Sequence, residues 1–325
     1  MEVNNLSFSS QVKSELARHI ETSRHCRIAE IAALINMCGE ILIHEDQKIS
    51  IKFQTENAAV ARKYFTLLKK TFNINTEVLI RKNTQLKKNQ VYFLFVTNTE
   101  QAIKLLKATG LIMEQEGRLI RRRGIYPLII QSFCCKRAYI RGAFLGAGSL
   151  SDPEKAYHLE FVNQDYLHSQ ELKNLINLFQ MDSKIVERKK HYIVYLKEGS
   201  QIVDLLNIMG AHLALMDLEN VRIIKEMRNN VNRIVNCETA NLNKTVSAAV
   251  KHLEDIDYIE QHMGLSSLPK SLEEVARLRV QYTEASLKEL GSMLNPPVGK
   301  SGVNHRLRKI SMIADRLREE KGGSL

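Results

Sequence analysis

The chain has 325 residues, 44% hydrophobic and 26% charged, with Lys+Arg 47 against Asp+Glu 36 and a net charge of +11. The apolar fraction excludes wholesale disorder, 15 Gly and 5 Pro exclude collagen-like and low-complexity chains, and the length fits two domains. The cationic surplus favours polyanionic partners, nucleic acid ahead of an acidic membrane, or serves solubility alone.

The first residues, MEVNNLSFSSQVKSELARH, are polar and lack the apolar run of a secretory signal. The most apolar stretch, Ile28 to Ile43, is interrupted by Glu30, Asn36 and Glu40, short of the ~18 apolar residues that span a membrane. Five cysteines, Cys26, Cys38, Cys134, Cys135 and Cys237, form no C-x-x-C pair. A reducing cytoplasm is expected, with most of them acting as small core residues. His19, His25 and Cys26 sit close together at a spacing that matches no metal motif. No metal and no other cofactor is expected.

A duplication dominates the middle of the chain. A small-residue helix, Arg27 to Glu40, is matched by a second, Lys136 to Ser149; aligned on Gly39 and Gly148, they are 109 residues apart. Each is followed by an alternating segment that predicts a half-buried strand, 48–55 and 156–163. A helix comes next, 58–73 and 168–180, then a hairpin, 76–82 with 90–97 and 183–189 with 191–197. Closing helices stop at Gly110 and Gly210, since glycine past a helix end is a common terminator. Each half therefore reads α-β-α-β-β-α. The hairpin tips are cationic, with Arg81, Lys82, Lys87 and Lys88 in one half and Arg188, Lys189 and Lys190 in the other. Two such tips at equivalent places suit phosphate contacts, though a charge run also suits a solvated loop. Arg121, Arg122 and Arg123 form a third basic cluster, read equally well as an exposed linker.

After Leu218 the pattern turns to polar helix, with Cys237 to Thr245 read as a joint. Ser271-Leu-Glu-Glu and Ser286-Leu-Lys-Glu both fit the capping box that opens a helix. Asn295-Pro-Pro-Val-Gly299 breaks the chain ahead of a third helix from Ser301. Val303, Leu307, Ile310, Ala314 and Leu317 form its expected buried stripe. The other face carries Ser301, Asn304, His305, Arg308, Lys309 and Met312, the polar and basic equipment of a major-groove reader. Asn304 and Arg308 are the candidates for base edges, and Lys300, Arg306 and Lys309 for phosphates.

Two resemblances follow from these residues. Ile140-RGAFLGAG-Ser149 resembles the LAGLIDADG motif of homing endonucleases, and Ile31-AALINMCG-Gly39 resembles a more decayed copy. In that family the two helices pack on a pseudo-twofold axis, and each ends in an acid that binds Mg²⁺. Here those positions fall on Cys38 and Ala147, and the preceding acidic positions on Asn36 and Leu145. Neither Cys38 nor Ala147 offers the oxygen that Mg²⁺ requires. Glu40, two residues on, is expected to point away from Cys38, and Asp152 is expected in a turn. Beyond the motif, Phe8-SSQVKSELA, Arg24-HCRIAE, Lys136-RAYIRGAFL, Asn236-CETANLNKT and Ala285-SLKELGSMLNPPVGKSGVNHRLRKI resemble the WhiA family of Gram-positive bacteria over essentially the whole chain. That resemblance implies a degenerate LAGLIDADG domain joined to a helix-turn-helix similar to region four of sigma factors. It also implies roles in transcriptional control of sporulation, cell division and chromosome segregation.

The expected fold is α+β: a duplicated LAGLIDADG homing-endonuclease-like domain over 1–218, with halves at about 20–112 and 130–215, followed by an all-α helix-turn-helix domain over 219–325, the motif itself at about 271–318. The expected function is that of a non-enzymatic DNA-binding transcriptional regulator in the cytoplasm, at the nucleoid. Double-stranded DNA is the expected partner, with an RNA polymerase sigma factor or another transcription regulator beside it. No membrane and no small-molecule substrate is expected. The alternatives are an active homing endonuclease and a maturase-like RNA-binding scaffold.

Overall fold

A computed structural model describes residues 7–43, 48–82, 90–116 and 118–322. The chain divides into two compact units, Met1–Glu226 and Met227–Leu325.

In the first unit a leading helix, α1 (Phe8–Arg18), precedes the two halves. The first half runs α2 (Arg24–Cys38), β1 (Gly39–Ile43), β2 (Ile49–Thr55), α3 (Ala58–Phe72), β3 (Glu77–Lys82), β4 (Gln90–Val96) and α4 (Thr99–Ala108). A short hairpin, β5 (Ile112–Gln115) with β6 (Arg118–Arg121), links it to the second half. That half runs α5 (Phe133–Ala147), β7 (Gly148–Leu150), β8 (Leu159–Asn163), α6 (Tyr166–Asn177), β9 (Lys184–Arg188), β10 (His191–Leu196) and α7 (Gly199–Met209). The two antiparallel sheets share one strand order, β1-β2-β4-β3 and β7-β8-β10-β9. Each half is thus α-β-β-α-β-β-α. The extra strand in each follows its small-residue helix without a loop, and the second half's next strand starts at Leu159 rather than at residue 156.

Local sequence explains the element ends. Asn57, Asn98 and Asp165 accept backbone N–H bonds at the starts of α3, α4 and α6. Gly110 and Gly210 take positive φ just past α4 and α7, as the sequence reading expects. Ile49, Ile51 and Phe53 turn one face of β2 inward, and Phe53 stacks on Tyr64 of α3 at 4.1 Å.

Helices α2 and α5 pack against each other through the centre of the unit. A Cβ on Gly142 would stand 2.5 Å from the Glu30 carbonyl oxygen, and one on Gly146 would stand 2.8 Å from Met37 Cβ. Backbones this close tolerate only small residues. The same interface buries charge. Glu30 is 0% exposed and pairs with Lys63 Nζ at 2.5 Å and Arg141 Nε at 3.2 Å, while Arg141 also reaches Glu21 at 2.6 Å. Two acids face two bases, so the network is charge-balanced. Removing one member would strand a buried partner.

Helix α8 (His212–His262) is continuous and carries residues of both units; the expected joint at 237–245 is helical. The second unit adds α9 (Lys270–Gln281), α10 (Leu287–Ser292) and α11 (Lys300–Gly322). Its core joins Ile256 and Ile259 of α8 to Leu272, Val275, Leu290, Val303, Leu307, Ile310 and Ala314. Ser286 and Glu289 form a reciprocal capping box, whereas Ser271 lies inside α9, whose cap position is Pro269. No helix among the described residues is long and apolar enough to cross a membrane.

Candidate nucleic-acid interface

In the second unit α11 is the helix that the sequence analysis expects to face DNA. Gly291 of α10 allows the following turn to fold back, because a Cβ there would meet the Val298 carbonyl oxygen at 2.0 Å. Val298 N–H in turn donates to the Gly291 carbonyl at 2.9 Å. Arg279 of α9 is buried and donates to the Ala285 carbonyl at 2.6 Å, which fastens the loop between α9 and α10. At the far end of α11, Arg318 pairs with buried Asp255 of α8 at 2.8 Å and lies 4.8 Å from the Tyr258 ring.

With its inner stripe of Val303, Leu307, Ile310 and Ala314 buried, α11 turns the expected face outward. Lys300, Ser301, His305, Arg308 and Lys309 are exposed and Asn304 is half-buried. Arg306 differs: it is half-buried and donates to the Ser271 carbonyl at 3.4 Å, so its guanidinium braces α11 against α9. The first N–H groups of a helix lack intrahelical acceptors, and together with Lys300 they make the start of α11 favourable to phosphate.

In the first unit, a groove of about 1230 Å³ lies at the C-terminal ends of α2 and α5. Its lining includes Asn36, Glu40, Ala147, Asn163, His168 and Tyr192, with Arg121 and Arg123 at its border. By the LAGLIDADG resemblance, this is the end of the two helices where metal-binding acids are expected. Cys38 Sγ donates instead to the Leu34 carbonyl at 3.2 Å, and burial pushes its thiol up to about 12. Asn36 Nδ2 donates to Tyr139 Oη at 3.0 Å, Tyr139 Oη lies 2.7 Å from His168 Nε2, and Asn163 Nδ2 lies 2.7 Å from His168 Nδ1. This network ties both halves together where metal ligands would stand. Burial, with Arg121 adding to it and Asp165 opposing, lowers His168 to about 4.

Glu40 lines the groove, and Cys38 is not among its lining residues. Helix α2 ends at Cys38 and Glu40 lies in β1, so the helical rotation of about 100° per residue no longer relates the two positions. Its carboxylate pairs with Lys52 of β2 at 3.0 Å. The position equivalent to Glu40 in the second half is Ser149, which donates to Glu160 at 3.1 Å. Asp152 sits in a turn, where its carboxylate accepts from the Glu154 N–H. The Asp165 carboxylate caps α6.

The basic tips are distributed around these sheets. Arg81 and Lys82 end β3 and are exposed, and Arg81 lies 5.5 Å from the Phe93 ring, which Lys52 approaches at 5.8 Å. Lys87 and Lys88 lie outside the described residues. In the second half Arg188 pairs with His191 across a two-residue turn, and both turn residues, Lys189 and Lys190, have positive φ of 51° and 63°. Positive φ at both central positions is the type I′ hairpin signature, normally supplied by Asn-Gly. Of the third cluster, Arg121 and Arg123 are exposed, while Arg122 lies 4.4 Å from the Tyr126 ring.

Comparison with known proteins matches three family models in chain order. They are the WhiA N-terminal LAGLIDADG-like domain over residues 24–112, the WhiA LAGLIDADG-like domain over 136–228 and the WhiA C-terminal HTH domain over 231–314. A probable cell division protein WhiA of Lachnoclostridium phytofermentans is 56% identical over 97% of this chain and 100% of the relative. One of Alkaliphilus oremlandii is 55% identical over 97% of this chain and 99% of the relative. Among solved structures, full-length DUF199/WhiA from Thermatoga maritima superposes with a TM-score of 0.59 at 24% identity, covering 96% of this chain and 99% of that one, which shows a shared fold. The duplicated α/β unit, the trihelical unit and these relatives together place the chain in the WhiA family.

Proposed function

We propose that this protein is a sequence-specific, non-cutting DNA-binding regulator of cell division, with chromosome segregation and, in spore formers, sporulation in its reach. The observation that carries the reading is the outward face of α11, where Lys300, Ser301, His305, Arg308 and Lys309 stand exposed on a helix braced from behind. A rigid helix with a polar, cationic leading end suits the major groove. Arg308 and Asn304 read base edges; Lys300 and Lys309 hold phosphates. The role places the protein in the cytoplasm at the nucleoid, with an RNA polymerase sigma factor or another transcription regulator as its protein partner.

Cleavage is disfavoured by the groove. Metal-assisted phosphodiester hydrolysis needs oxygen ligands that clamp the attacking and leaving oxygens. Glu40 is paired with Lys52 and has Ser149 as its counterpart, so the groove lacks a symmetric carboxylate pair.

Fluorescence anisotropy on genomic duplex fragments, scrambled duplexes and structured RNA tests the reading. The expected order is selected duplex, then scrambled duplex, then RNA; tighter binding to RNA would favour a maturase-like scaffold. Arg308→Ala should cost about 1–3 kcal/mol and relax specificity, while Lys300→Ala should weaken all sequences alike and lower the salt slope by about one. Equal losses on every sequence for both variants would remove Arg308 as a base reader. Plasmid incubated with protein and Mg²⁺ or Mn²⁺ should remain intact. Cutting that disappears in Glu40→Gln would overturn the non-enzymatic reading.

A further inference from the structure

At the N-terminal ends of α2 and α5, away from the groove, the fold assembles four side chains that no local motif announces. Helix α2 opens Arg24-His25-Cys26, and α5 opens Phe133-Cys134-Cys135. Packing of the two helices brings His25 Nδ1 to 3.0 Å from Cys135 Sγ, across 110 residues of sequence, and His25 Nδ1 lies 3.4 Å from Cys26 Sγ. The donor atoms of His25, Cys26, Cys134 and Cys135 all lie within 4.8 Å of one another. Cys26 and Cys135 are buried, while His25 and Cys134 reach the surface.

We propose that His25, Cys26, Cys134 and Cys135 form a tetrahedral Cys₃His site for one Zn²⁺, which clamps the N-terminal ends of the two central helices. The donor set decides the class of ion. Three sulfurs and an imidazole suit a borderline-soft d¹⁰ cation and are unsuited to Mg²⁺ or Ca²⁺, which take oxygen. The geometry agrees. With Zn–S near 2.3 Å and Zn–N near 2.0 Å, the edges of the ligand tetrahedron are roughly 3.5–3.8 Å. The observed separations, from 3.0 Å to at most 4.8 Å, straddle that value. A zinc with three thiolates carries one net negative charge. The amino ends of two helices, with their unpaired N–H groups, favour that charge. Arg24, Arg27 and Lys136 adjoin the ligands in sequence and add positive charge. Each cysteine releases its thiol proton to solvent as it becomes a ligand and the imidazole binds in its neutral form, so uptake releases three protons and weakens as pH falls.

Position assigns the role. Cys26 and Cys38 are 12 residues apart on α2, or about 18 Å at 1.5 Å per residue, so the ion is remote from the groove. It is a structural ion that joins one half of the duplicated unit to the other at the N-terminal end of the helix pair. The sequence reading finds no metal motif because each helix contributes only two neighbouring donors.

The test uses the full chain, purified in reductant, stripped with a chelator and titrated with CoCl₂. Tetrahedral thiolate ligation should give charge-transfer absorption in the near ultraviolet and d–d bands in the visible, saturating at one equivalent and bleached by ZnCl₂. His25→Ala and Cys134→Ser alter exposed positions and leave the buried pair in place. Each should weaken zinc binding by more than the roughly 10–100-fold cost of losing an outer-shell partner. Cys237→Ser, at an exposed cysteine outside the cluster, should change nothing. Absence of the cobalt bands would overturn the proposal, as would variants that bind zinc like the parent. A Cys26–Cys135 disulfide that forms under mild oxidation at saturating ZnCl₂ would also overturn it, in favour of a redox link.

Discussion

His168 shows how a buried residue couples structure to pH. It is 2% exposed, held between Asn163 and Tyr139, and lowered from 6.5 to about 4 chiefly by burial. The unfolded chain therefore binds the proton more readily than the folded one between those values. Stability from this group is complete above about pH 6.5 and is lost as pH falls towards 4. At pH 5 the loss is about 2 kcal/mol relative to pH 7. Urea unfolding at both values should show that gap in the parent and a smaller one in His168→Gln, whose amide does not titrate. Equal gaps would assign the pH response to the carboxylates alone. Gly39 and Gly148 mark the helix ends because a Cβ at either would clash with the preceding turn, at 2.7 Å from the Ile35 carbonyl oxygen and 2.4 Å from Phe144 Cδ2. Arg306, in contrast, has the residue type of a phosphate contact, and only the neighbouring α9 makes it a brace.

At the scale of elements, periodicity places α2 to α7, α9 to α11 and the hairpins β3–β4 and β9–β10 within a few residues, but breaks α8 at 237–245, which is helical. It missed β1 and β7 because five and three residues are too few to show alternation, and because both begin at the glycine that closes a helix. The turn between β9 and β10 is a different case. The expected strands, 183–189 and 191–197, leave one residue between them rather than two, and the conformation was not legible, since lysine is an unusual residue at positive φ. An L-residue there costs roughly 1–2 kcal/mol, and two lysines in succession bear that cost twice. Strain retained at an exposed tip points to use of the side chains. Lys189→Asn with Lys190→Gly should fit the type I′ geometry better and raise the unfolding midpoint. The same variant should bind duplex DNA more weakly and with a salt slope lower by about 2. A variant that is stabilised yet binds DNA as the parent does would free the lysines of any phosphate role.

For the whole molecule, the distribution of charge makes the proposed holding and reading of DNA separable. Residues 219–325 contain 17 basic against 14 acidic residues, so +8 of the +11 surplus belongs to residues 1–218. The part of the chain that carries α11 is thus the less cationic one. Counterion release makes each phosphate contact add about 0.9 to the slope of log affinity against log salt, whatever the base sequence. Base contacts add discrimination and little slope. The two contributions are therefore separable in one protein. Replacing Arg81, Lys82 and Arg188 together with glutamine in the full chain should lower the slope by about 3 and weaken selected and scrambled duplexes by the same factor. Replacing Asn304 and Arg308 with alanine should collapse the ratio between those duplexes with a slope change of about one at most. If the first variant keeps the parent's slope, the charge of residues 1–218 serves solubility, and α11 alone engages DNA. If it changes the ratio instead, the sheet face around Phe93, Lys52 and Arg81 reads sequence as well as phosphate.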